Sequence, residues 1–67
     1  MNEHILKGKW KQLKGEVQNQ WGKLSDDDVN QVDGQLLKLE GLIQEKYGRT
    51  KEEAQKLVKE FLDKFED

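Results

Sequence analysis

Sixty-seven residues bound this chain to one small domain, taken as 1–67. Hydrophobic residues are 33% against 39% charged, and mean hydropathy is −1.08, so little core is available. No cysteine is present, which excludes disulfides and thiolate metal sites, and no apolar run approaches the ~20 residues that span a bilayer.

The start, Met1 to Lys7, lacks the apolar stretch of a secretory leader, so the expected location is the cytoplasm. With no proline and few alternating stretches, helix is the expected state throughout. Leu6, Trp10, Leu13, Val17, Trp21 and Leu24 recur at spacings of three and four and predict a first helix near 3–21. Gly22 is placed to end it in the left-handed conformation that glycine tolerates. Ser25 followed by Asp26, Asp27 and Asp28 reads as an N-cap with first-turn carboxylates, opening a short helix near 26–33 with Val29 and Val32 inward. Leu36, Leu39, Ile43 and Tyr47 predict a third helix near 35–47, stopped by Gly48. Thr50 to Glu53 is a capping box, and Ala54, Leu57, Val58, Phe61, Leu62 and Phe65 give the last helix, near 51–65, its amphipathic stripe. The expected core includes Trp10, Leu13, Val17, Trp21, Leu39, Ile43, Tyr47, Leu57, Phe61 and Phe65.

The six glycines form two triplets, Gly8, Gly15, Gly22 and Gly34, Gly41, Gly48, each spaced by seven and offset from one another by 26. Leu13 and Leu39, Val17 and Ile43, Gln18 and Gln44, Trp21 and Tyr47, and Lys23 and Arg49 keep the same offset. The chain therefore reads as an internal duplication, with units of about 5–32 and 33–66, each a helical hairpin. The expected class is all-α, a four-helix bundle of two such hairpins. Gly8, Gly15, Gly34 and Gly41 fall on the side opposite the apolar stripes. Each interior glycine costs a helix roughly 1 kcal/mol against alanine. Either these positions allow open or close-packed surfaces, or the first and third helices are made weak.

The run Gly8-Lys9-Trp10-Lys11-Gln12-Leu13-Lys14-Gly15-Glu16-Val17, then Trp21 to Asp28, then Gly34, Leu39, Gly41 and Ile43 to Gly48, resembles the CsbD-like family of small bacterial stress proteins. The resemblance covers nearly the whole chain. It implies a cytoplasmic bacterial protein of the general stress response, with its two hairpins packed crosswise and no known catalytic activity. Some members are grouped with hydrophilins, glycine-rich hydrophilic proteins linked to osmotic stress and water loss.

The residues offer little for catalysis, and no catalytic residue, cofactor or small-molecule substrate is expected. His4 is the sole histidine, and Ser25 and Thr50 occupy cap positions without a nearby base. Asp26, Asp27 and Asp28 spread over about 200° of helix and cannot converge on one ion, so no metal site is expected. A nucleic-acid or protein-binding module is the rival reading. Lys7, Lys11 and Lys14 would line one face of the first helix beside Trp10, although a solvated lysine face and a core tryptophan account for the same residues. The net charge of −2 divides into +3 over residues 1–24, −5 over 25–45 and zero over 46–67, short of the basic excess usual in nucleic-acid modules. The last helix mixes Lys56, Lys59 and Lys64 with Glu53, Glu60 and Asp63, which argues against membrane insertion or strong attraction to anionic lipid. A monomer is expected.

Overall fold

Residues 3–65 are described by the computed structural model, and all their regular structure is helical: α1 (Glu3–Gly8), α2 (Trp10–Gln20), α3 (Asp26–Val32), α4 (Leu36–Tyr47) and α5 (Lys51–Asp63). Five helices stand where four were expected. The second expected repeat unit, 33–66, reaches Glu66, and the expected domain, 1–67, takes in Met1, Asn2, Glu66 and Asp67; these four lie outside the described residues.

The expected first helix is broken at Lys9, whose φ of −113° and ψ of 20° leave the helical region. Its carbonyl accepts from both Gln12 N–H at 2.9 Å and Leu13 N–H at 2.8 Å, so the helix restarts with a tight first turn. The cause is tertiary. The α3–α4 turn pushes Gly34 against this bend, and a Cβ there would lie 3.1 Å from the Lys7 Cα and 3.4 Å from the Trp10 Cβ. Gly8 supplies the weak point on the helix side of the bend. Gly34 itself is buried, at φ +78°, directly after Asp33 at φ +47°. It is therefore a turn residue with a packing role and not an interior helical glycine.

The two expected glycine stops also differ. Gly48 has φ +63°, and both Gly48 and Arg49 donate to the Gln44 carbonyl, as expected of a glycine stop. Gly22 is not left-handed. Trp21 has already left the helix at φ −125°, ψ 84°, with its N–H still donating to the Val17 carbonyl at 2.8 Å. That exit turns Trp21 and Leu24 under the bundle, where both are buried. Tyr47, at the matching position, stays helical because its hydroxyl has a different task. It accepts from the Lys23 N–H at 3.1 Å, and the Lys23 ammonium lies 5.0 Å from the centre of its ring.

α4 is the hub, packing against α1, α3 and α5, while α2 packs against α1 and α3. Leu6, Trp10, Leu13, Val17, Leu39 and Ile43 meet Val29, Val32, Ala54, Val58, Phe61 and Leu62 in one core. Tyr47, Leu57 and Phe65, expected inside, are half-buried at its margin. The radius of gyration is 10.6 Å, close to the ~11 Å of a compact chain this long.

Both caps form as reciprocal boxes. Ser25 N–H donates to the Asp28 carboxylate at 3.0 Å and Asp28 N–H to the Ser25 hydroxyl at 3.1 Å. Thr50 N–H donates to the Glu53 carboxylate at 2.9 Å and Glu53 N–H to the Thr50 hydroxyl at 3.1 Å. These backbone donors hold the Asp28 and Glu53 carboxyls below their usual range. A depressed folded value means the contribution is present above the unfolded carboxylate pKa and lost as pH falls through the folded one. Ser25→Ala and Thr50→Ala are each expected to lower stability by ~1 kcal/mol at neutral pH in urea unfolding. Unchanged midpoints in both variants would refute the capping roles.

Candidate functional site

The bend between α1 and α2 opens a groove of about 700 Å³ lined by Lys7, Gly8, Lys9, Trp10, Lys11 and, from the α3–α4 turn, Asp33. The local sequence explains its charge. α2 has no acidic residue in its first turn, and its N-cap, Lys9, makes no side-chain cap bond. No carboxylate of the first turn of α2 therefore offsets the positive charges of Lys7, Lys9 and Lys11. Among the described residues none of Lys7, Lys9 and Lys11 has an ion pair; the described pairs are Lys46 with Asp28 at 3.8 Å and Lys59 with Asp63 at 3.1 Å.

Two of the three lysines expected on one face, Lys7 and Lys11, thus share a groove. Lys14 does not line it and is half-buried further along α2. Lys9 joins instead, because the bend brings it round. Trp10 is only 9% exposed, so its ring belongs to the core and offers no stacking platform.

The other candidate residues lie apart from this groove. His4 is exposed on α1. Asp26 accepts from the Gln18 amide at 3.0 Å, and Asp28 is engaged by Ser25 and Lys46. Among the described residues no three His, Cys, Asp or Glu side chains are grouped to hold one ion. The hydroxyls of Ser25 and Thr50 each accept a backbone N–H within their own helix caps.

Glu40 is the one buried charged residue of the described core, 6% exposed on α4. Its position was legible: it lies four residues after Leu36 and three before Ile43, on the apolar stripe. Burial pushes its carboxyl above the usual range, and the Lys51 ammonium offsets part of that. A raised folded value means the unfolded chain ionises first as pH rises, so the penalty grows above the ordinary carboxylate pKa and is complete above the folded one. Glu40→Gln is expected to raise stability at pH 7 and to leave it unchanged below the carboxylate range. An equal gain at pH 3 and pH 7 would remove charge burial as the cause.

No described helix is long and apolar enough to cross a membrane. The CsbD-like family profile matches residues 4–56. The chain is 52% identical to a UPF0337 protein of Bordetella pertussis over 96% of its own length and 97% of the relative's. It is 47% identical to a UPF0337 protein of Pseudomonas aeruginosa, covering 96% of this chain and 98% of that one. It is 50% identical to the UPF0337 protein YjbJ of Escherichia coli K12, covering 87% and 84% respectively. No solved structure matches significantly. A match across most of the chain, with relatives of similar length near half identity, establishes that the chain belongs to the CsbD-like family.

Proposed function

We propose that this chain is a non-enzymatic protein of the bacterial general stress response. It acts as a monomeric, single-domain, hydrophilin-like protectant in the cytoplasm during osmotic or water-loss stress. The observation that carries the reading is the placement of three glycines. Gly8, Gly15 and Gly41 lie in helices, exposed, and a Cβ at any of them would meet nothing within 4 Å. Gly15 and Gly41, inside α2 and α4, therefore cost helix stability with no packing gained in return, while Gly8 closes α1 beside the bend. Family membership and the mean hydropathy of −1.08 support the same reading. A weakly held, strongly hydrated bundle can loosen as water is withdrawn and interpose polar surface between other macromolecules.

The test is the triple variant Gly8→Ala, Gly15→Ala, Gly41→Ala. Each substitution is expected to stabilise by ~0.5–1 kcal/mol in thermal unfolding, because it narrows the unfolded ensemble without a clash. The stabilised variant is then expected to protect a dried test enzyme less well than the wild type. Equal protection by both would leave the glycines without this role. Wild-type protection no better than an equal mass of serum albumin would sink the function itself.

A further inference from the structure

We propose that the groove at the α1–α2 bend binds duplex nucleic acid through its phosphodiester backbone, without reading base sequence. Lys7, Lys9 and Lys11 converge on this groove and lack carboxylate partners among the described residues; Asp33 is the sole acidic residue lining it. Several cations elsewhere have an acidic or aromatic neighbour. Lys46 and Lys59 are ion-paired, Lys23 lies over the Tyr47 ring, and Arg49 and Lys56 line a groove with Glu53 and Glu60.

The fold does not require these lysines. At the 26-residue offset their counterparts are Asp33, Gln35 and Leu37, none of them basic. The positive cluster is thus a property of one unit, set against a chain whose net charge is −2. Three ammonium groups around an open groove complement a surface of closely spaced negative charges, and duplex DNA carries one per ~1.7 Å of axis. The choice of duplex follows from Trp10. Single-strand binding draws on exposed aromatic rings that stack bases, and this ring is 9% exposed.

Fluorescence anisotropy with a labelled 20-base-pair DNA duplex tests the assignment. Neutralising about three phosphates gives a slope near −2.7 for log K against log salt, so affinity should fall roughly 40-fold between 50 and 200 mM salt. Each of Lys7→Gln, Lys9→Gln and Lys11→Gln should flatten the slope by about 0.9, and the triple variant should abolish binding. Lys38→Gln, Lys56→Gln, Lys64→Gln makes the same charge change on exposed lysines outside the groove and should bind as wild type does. Circular dichroism and the thermal midpoint confirm that both triple variants fold. Four outcomes overturn the proposal: no binding at 50 mM salt, a flat salt slope, equal loss in both triple variants, or tighter binding to single strands or anionic vesicles than to the duplex. A duplex RNA arm that matches DNA supports it, since only the backbone is contacted.

Discussion

Alanine at Gly34 is expected to cost the fold about 2–5 kcal/mol, enough to leave much of the protein unfolded at 25 °C. Two terms add. At φ +78° an L side chain places its Cβ against the carbonyl oxygen, a strain of roughly 1–2 kcal/mol. The added Cβ would also lie 3.1 Å from the Lys7 Cα, which is backbone and cannot swing aside. Overpacking of that kind costs about 1–3 kcal/mol. A core this small yields only ~3–5 kcal/mol in total. Gly48→Ala separates the terms, because Gly48 has φ +63° but nothing within 4 Å of the added carbon. Urea unfolding should therefore rank the variants with Gly34→Ala least stable, Gly48→Ala next, wild type above both, and Gly15→Ala and Gly41→Ala highest. A Gly34→Ala protein no less stable than Gly48→Ala would mean that the α3–α4 turn does not press on the bend.

What the sequence conveyed follows the range of the forces involved. The caps at Ser25 and Thr50 were legible because hydroxyl, spacer and carboxylate lie within four residues and bond reciprocally. The apolar stripes were legible because burial has the helical period, and the expected Trp10, Leu13, Val17, Leu39 and Ile43 are buried. The bend at Lys9 was not, because its cause sits 25 residues away, at Gly34. Lys9 was missed in the groove for the same reason. On an unbroken helix it would point about 200° away from both Lys7 and Lys11. Gly22 is not the left-handed stop that its place after the stripe implied: Trp21 leaves the helix and is buried, whereas Tyr47 stays helical at the margin and meets Lys23. Glu40 was within reach of the stripe pattern, four residues after Leu36 and three before Ile43.

The last helix is joined to the end of α2 through Phe61, and its removal is expected to cost the most of any side-chain truncation outside the turns. Its ring centre lies 5.0 Å from that of Trp21 and 5.0 Å from that of Phe65, tilted in both pairs. It is nearly inaccessible to solvent. α5 otherwise packs chiefly on α4, so the Trp21–Phe61 contact is what ties the last helix to the end of α2. Phe61→Ala removes the ring, both aromatic contacts and the filled volume, and truncations of this type cost about 3–5 kcal/mol. That equals the ~3–5 kcal/mol yield of so small a core, so the variant should populate the unfolded chain without denaturant. Phe61→Leu keeps most of the volume and should lose less than about 1.5 kcal/mol. Tryptophan fluorescence reads both in a Trp10→Phe background, where Trp21 is the sole emitter. Its emission should move to the red in Phe61→Ala, as water reaches the indole, and hold in Phe61→Leu. Unshifted emission in Phe61→Ala, with helical content intact, would place the tie between α5 and the first half of the chain elsewhere, at the Tyr47–Lys23 contact and along α4.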